Sequence, residues 1–216
     1  MGAIIANSTF MIGQVGAQSL QNGSMSPIRM DREGNATMGY GHLCYTEVAR
    51  QGNVFAVCNQ SGITTQAGLS ATTPALTLFN PVGSGKNGAL LWAGVTFTVA
   101  FAAAAVVWLA VNTNLSAAAV TGTATTTDRN TLLGGSGGHA LTPLLAATLP
   151  AAPVGLCVLG VGLTGAITTT PQIQAIGRQF DGSIILQPGS AISIQTSTAS
   201  GASATFCEFI WEEIPV

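Results

Sequence analysis

Residues 90–111 read LLWAGVTFTVAFAAAAVVWLAV, and the fold turns on whether these 22 uncharged residues form one helix or two strands. As a helix the run is long enough to cross the roughly 30 Å hydrocarbon layer of a bilayer. Its periodicity argues for strands. Leu91, Ala93, Val95, Phe97, Val99 and Phe101 put apolar side chains at every second position, and Thr96 and Thr98 interrupt the other face. Alternate residues share a face in a strand, whereas a helix repeats every 3.6 residues. The run also carries β-branched clusters and has no basic flank beyond Lys86, unlike an anchored membrane helix. Outer-membrane barrels alternate too, but they need many strands with aromatic girdles, and only 6% of this chain is aromatic. We therefore expect two strands joined by a bend at Ala102-Ala103-Ala104-Ala105, the second over residues 106–111, and no membrane partner.

The same period recurs on either side. Residues 75–79 form a short apolar strand that runs into Asn80-Pro81-Val82-Gly83-Ser84-Gly85, a turn sequence. Cys157, Leu159, Val161 and Leu163 alternate with small residues, and Gly160, Gly162 and Gly165 leave the opposite face open to close approach by another backbone. From Asp181 to Ile194 the sequence reads strand, turn, strand, with Pro188 fixing φ and Gly189 supplying a positive φ. In the last strand, from Thr205, one face carries Cys207, Phe209 and Trp211 and the other Glu208. Strands punctuated by Gly, Pro and Asn at short intervals predict an all-β chain, a jelly-roll-like sandwich or barrel over residues 75–216. Residues 1–74, with short strands and a polar stretch, read as an N-terminal extended region or arm.

Charge narrows the function. Only 14 of 216 residues are charged, 6% against the roughly 25% of ordinary soluble domains. Six of them, Arg29, Asp31, Arg32, Glu33, Glu47 and Arg50, fall within 22 residues, and none lies between Lys86 and Asp128. A surface with so few charges associates, so the composition favours extensive protein neighbours. A net charge of −2 without a cluster of Lys and Arg argues against nucleic acid as a partner. Cys44, Cys58, Cys157 and Cys207 show neither CxxC spacing nor a nearby histidine, so no metal or redox motif is read; a Cys44–Cys58 or Cys157–Cys207 disulfide stays open. The opening Met1-Gly2-Ala3-Ile4-Ile5-Ala6 has no basic n-region and no hydroxyl at the position a myristoylation signal needs.

Several stretches imitate catalytic motifs. Gly85-Lys86 sits where a phosphate loop would have it, but Asn80 replaces the first glycine, Asn87 replaces the hydroxyl that holds magnesium, and a strand follows instead of a helix. Gly134-Gly135-Ser136-Gly137-Gly138 fits G-x-S-x-G, yet no strand–turn–helix surrounds it, and His139 is too close in sequence to serve Ser136. His42 and His139 are expected to be hydrogen-bonded or solvent-facing. Glu212 and Glu213 alternate faces in an extended chain, so they do not share a site; a solvated edge or a contact to a neighbouring Arg is expected. No catalytic, cofactor-binding or metal residue is assigned, and the chain reads as a non-enzyme without a cofactor.

Three blocks carry a resemblance. Gly52-Asn53-Val54-Phe55-Ala56-Val57, the run from Thr72 through Pro74, Asn80 and Gly85 to Asn87, and Phe209-Ile210-Trp211-Glu212-Glu213-Ile214-Pro215, with Asp181-Gly182-Ser183 and Pro188-Gly189 between them, span about 160 residues. In order and spacing they resemble a family of virion structural proteins of tailed bacteriophages. The resemblance implies a jelly-roll-like domain on the capsid surface of a virion assembled in the host cytoplasm. It leaves cement protein, head fibre and tail component open; composition and strand pattern taken with it favour a cement or decoration protein that binds the major capsid protein, and because jelly rolls on shells commonly sit on local symmetry axes a homotrimer is expected. Two other functions compete. A head-fibre or tail module binding a receptor or glycan needs aromatics such as Trp92, Trp108 or Trp211 at a loop-rich end, and a polysaccharide depolymerase needs a catalytic carboxylate pair.

Overall fold

The computed structural model describes residues 13–14, 28–29, 45–116, 120–125, 127–135, 137–162, 174–201 and 204–216. The chain divides into two compact units, Met1–Glu47 and Val48–Val216. In the first, β1 (Gly13–Gln14) and β2 (Ile28–Arg29) pair in parallel. A five-residue helix, α1 (Thr46–Arg50), is closed by Gly52, whose φ of +78° is the left-handed conformation that ends helices and whose N–H donates to the Ala49 carbonyl at 2.9 Å.

The second unit is an all-β sandwich, as the alternation predicts. One sheet has five strands in the order β11 (Gln174–Leu186), β5 (Lys86–Phe97), β13 (Thr205–Pro215), β3 (Val54–Cys58) and β8 (Arg129–Asn130). The other has six, in the order β10 (Val154–Gly162), β6 (Ala105–Asn112), β12 (Ser190–Thr196), β4 (Thr77–Asn80), β9 (Thr142–Thr148) and β7 (Thr121–Ala124). Every strand pair of the sandwich is antiparallel, and the chain passes repeatedly from one sheet to the other. The opening 22-residue run is divided between them: β5 belongs to the five-stranded sheet and β6 to the six-stranded one. No helix among the described residues is long and apolar enough to cross a membrane.

The core fills the space between the sheets. Phe55 and Val57 of β3, Leu90, Ala93, Val95 and Phe97 of β5, and Cys207, Phe209 and Trp211 of β13 face Leu78 of β4, Val107 and Leu109 of β6, and Ile192 and Ile194 of β12. A second cluster of Phe79, Leu115, Val120, Leu144, Ala147, Leu149 and Ala191 lies on the other face of the six-stranded sheet. Alternation makes this possible, because Leu78 and Phe79 are neighbours that point to opposite faces. The turn after β12's predecessor forms as expected, with Gly189 at φ +83° and the Gly189 N–H on the Asn80 carbonyl at 2.8 Å.

Four expectations are corrected. The arm does not extend to residue 74, because the compact unit begins at Val48 and β3 pairs with β13 from Val54 to Cys58. Buried Asn59 fastens this segment: its side-chain amide donates to the Ser61 and Thr205 carbonyls and its oxygen accepts the Cys207 N–H. The first half of the opening run stops at Phe97; Val99 is exposed in the bend, and Phe101 folds back edge-on to Phe97 at 4.7 Å. The strand expected from Asp181 begins at Gln174, and Asp181-Gly182, both at positive φ, form a bulge inside it. In β10 two register shifts break the simple alternation. Cys157 and Leu159 pack on the core, but Gly160 then turns inward beneath Ile176, where a Cβ would lie 2.9 Å from Cγ2, and Val161 turns out. The space over that glycine is taken by a side chain, not by another backbone.

Candidate functional site

Two constellations and one surface stand out. The first gathers around His139. The segment entering β9 brings the imidazole over the end of the five-stranded sheet, edge-on to Phe55 at 5.9 Å and to Trp211 at 6.2 Å. Its Nδ1 lies 2.5 Å from the Leu141 carbonyl and its Nε2 2.5 Å from an Asp128 carboxylate oxygen. A neutral imidazole donates from one nitrogen only, whereas the imidazolium donates from both, so the protonated ring completes both bonds. The Asp128 carboxyl is held below its ordinary value: burial pushes it up, but the hydrogen bond from the Thr125 hydroxyl, its own backbone amide and the His139 charge outweigh that. A His–Asp pair is half of a nucleophile-activating set, but here the second ring nitrogen is committed to Leu141 and is not free to take a proton from a nucleophile. The pair ties the loop to the sandwich.

Glu213 completes the tie from β13. It is buried, and its Oε1 accepts the backbone N–H groups of Ala140 at 2.8 Å and Leu141 at 3.0 Å and the Trp211 indole N–H at 3.4 Å. The expected solvated edge therefore holds for neither carboxylate in full: Glu213 is interior, and burial raises the carboxyl of Glu212. Trp211 is fully buried and stacks on Phe55 at 5.8 Å, so it cannot serve as a ligand platform.

The second constellation is a cleft of about 190 Å³ on the outer face of the five-stranded sheet, lined among others by Cys58, Trp92, Thr96, Ile176, Phe206 and Glu208. Register sets Gly177, Gly94 and Glu208 side by side on β11, β5 and β13. The Trp92 ring lies over Gly177, where a Cβ would meet it at 2.1 Å, and Glu208 folds over Gly94, where a Cβ would meet its carboxylate at 2.4 Å. The Trp92 indole N–H donates to Glu208 Oε1 at 2.6 Å. The result is an indole and a carboxylate fixed side by side at a shallow hollow. Trp92 was singled out in the sequence, but on a loop-rich end; it sits in mid-sheet instead.

The third feature is the outer face of β10 and β6, where apolar side chains are open to solvent. The phosphate-loop look-alike is a turn: Gly83 and Gly85 have positive φ, Asn80 donates to the carbonyls of Lys86 and Leu186, and Lys86 starts β5. Ser136, His42 and Cys44 lie outside the described residues. Cys58, Cys157 and Cys207 are free thiols, so Cys157 and Cys207 form no disulfide. No group of three or more His, Cys, Asp or Glu side chains among the described residues is arranged to hold a metal. Sequence reasoning missed Asp128 and the two floor glycines. Nothing local marks them, because their partners stand far away in the chain. No protein-family model, no curated protein and no solved structure matches this chain.

Proposed function

We propose that this chain is a structural protein of a tailed-bacteriophage virion, a cement or decoration protein. In this reading it associates as a homotrimer, binds the major capsid protein and stabilises the head shell. The observation that carries the reading is the character of the surface. A chain with only 14 charges in 216 residues exposes Val154, Leu156, Val158 and Val161 along one edge strand of its sandwich, and its polar clusters are spent on fastening loops. A protein that works by contact needs area and tolerance of close neighbours, not a reactive group, and weak contacts repeated over a shell become strong through multivalency. The block resemblance at Gly52–Val57, Thr72–Asn87 and Phe209–Pro215 supports the same reading.

A second reading, a head-fibre or tail component that binds a host receptor or glycan, is favoured by the Trp92–Glu208 hollow, since an indole face beside a carboxylate suits a sugar ring and its hydroxyls. Cryo-electron microscopy of intact particles separates the two. Trimers seated on the outer face of the shell are expected. Density at fibres or tail tip moves the function to host recognition, and particles that lack the chain overturn both.

A further inference from the structure

We infer that the hollow between Trp92 and Glu208 on the outer face of the five-stranded sheet is a socket for a guanidinium group, the arginine side chain of a different protein. The inference rests on the contact reading above, to which it adds the chemistry that a partner must bring. Register builds the hollow in one row: Gly177 of β11, Gly94 of β5, Glu208 of β13 and Cys58 of β3 stand side by side. Because neither glycine carries a Cβ, the Trp92 ring settles over Gly177 and the Glu208 side chain over Gly94. Trp92 is only half-buried and lines the hollow, and half-buried Phe206 adds a second aromatic. The Trp92 indole N–H donates to Glu208 Oε1 at 2.6 Å, which fixes the carboxylate beside the ring and leaves Oε2 without a hydrogen-bond partner among the described residues.

Charge selects the occupant. Among the described residues no cation pairs with Glu208, and none of the residues that line the hollow is cationic. The nearest cation by register on this face is Arg129 of β8, which stands opposite Ala56, in the row of Ile210, with its guanidinium on the Asp128 carbonyl. An anionic ligand is therefore repelled, while the open carboxylate oxygen suits a positively charged donor, the stronger class of hydrogen bond. A planar guanidinium answers both parts of the wall, since it stacks on an aromatic ring while its N–H groups reach a carboxylate. A sugar ring, the occupant in the second reading, needs several placed polar groups for its hydroxyls. Here the Asn59 side chain is committed to the Ser61 and Thr205 carbonyls and the Cys207 N–H.

The arginine comes from another protein, because those of the sandwich are already engaged. Arg129 is turned to Asp128, Arg178 stacks on Phe180 at 5.3 Å, and Arg50 has a partner of its own. One exposed ion pair is weak by itself and gains weight when it is repeated over many copies.

The purified, isotope-labelled full chain is titrated with the peptide acetyl-Gly-Arg-Gly-amide while the Trp92 indole N–H resonance, assigned with Trp92→Phe, is followed by NMR. The resonance is expected to shift and saturate with a Kd on the order of 1–10 mM, as suits a single side chain. The same peptide with citrulline, the uncharged isostere of arginine, is expected to bind about 10-fold more weakly. Glu208→Gln, at an exposed position and still with an acceptor for the indole, is expected to erase that difference with its circular dichroism unchanged. Affinity for the arginine peptide should also fall severalfold between about 0.05 and 0.5 M salt, because an exposed pair is screened. An indole resonance unmoved by about 50 mM arginine peptide, equal affinity for the citrulline peptide, or an arginine preference that survives in Glu208→Gln overturns the inference. A shift with methyl glucoside but not with the arginine peptide gives the hollow to a sugar, and a shift that follows the concentration of the chain alone gives it to a second copy; either overturns it. Failure of the virion reading is distinguishable, since it is read from particles that lack the chain and leaves the titration intact.

Discussion

Replacing Glu213 with alanine tests whether a single buried carboxylate fastens the 139–141 segment to the sandwich. In the wild type Oε1 accepts two backbone N–H groups, at 2.8 and 3.0 Å, next to a fully buried Leu141. Hydrogen bonds to a charged group contribute about 1.5–3 kcal/mol each, and truncation leaves the buried Leu141 amide and the part-buried Ala140 amide without their acceptor, so a loss of about 3–5 kcal/mol is expected. For a domain of this size each kcal/mol moves the melting temperature by about 2–4 °C, which puts the variant roughly 10 °C below wild type. Glu213→Gln keeps an acceptor oxygen at the same place and is expected to lose only about 1–1.5 kcal/mol, the charge-dependent part. Urea titrations followed by fluorescence read both, and Trp211, in contact with the same oxygen, reports on the site directly. A loss below about 1 kcal/mol for the alanine variant, or equal losses for the two, would refute the clamp.

Acid should weaken the loop tie in one direction only. The Asp128 carboxyl titrates below its ordinary value of 3.8, so its contribution is fully present above that value and is lost as pH falls through the folded-state one. The stability gap between wild type and Asp128→Asn is therefore expected to be widest near neutral pH and to close below pH 3.8, as denaturant midpoints across the range will show. Gly177→Ala brings a Cβ against the rigid Trp92 ring and is expected to cost about 1–3 kcal/mol and shift tryptophan emission, whereas Gly94→Ala meets the exposed Glu208 side chain, which can swing to solvent by giving up its Trp92 bond, and should cost less than about 1 kcal/mol. Thiol labelling followed by mass mapping should mark exposed Cys58 in the native protein and leave Cys207 unmodified until it is unfolded, because burial first, and the Glu208 charge second, push the Cys207 thiol far above its ordinary value.

The sequence by itself determined what short-range pattern encodes. Period-two alternation in residues 90–111 named the strands and placed Ala93, Val95 and Phe97 on the core, although a register shift there puts Leu90 and not Leu91 in the core cluster, and Pro188-Gly189 named a turn, because side-chain direction and φ preference act within a few residues. The faces of β13 were legible for the same reason, with Cys207, Phe209 and Trp211 inside and Glu208 outside. Tertiary structure decided the rest. The bulges in β10 reversed which residues face the core, since one extra residue flips every side chain beyond it, whereas the longer bulge in β11 kept Ile176, Phe180, Ile184 and Leu186 on one face. The contacts that define the clusters join distant residues: Glu213 to Ala140 across 73 positions, Trp92 to Glu208 across 116, and Asn59 to Cys207 across 148. Glu213 is adjacent to an exposed-looking Glu212 and shares its chemistry, and only the arrival of two backbone amides made one of them interior. Which strands become neighbours is set by the packing of the whole sandwich, so partners assembled across it leave no local trace in the chain.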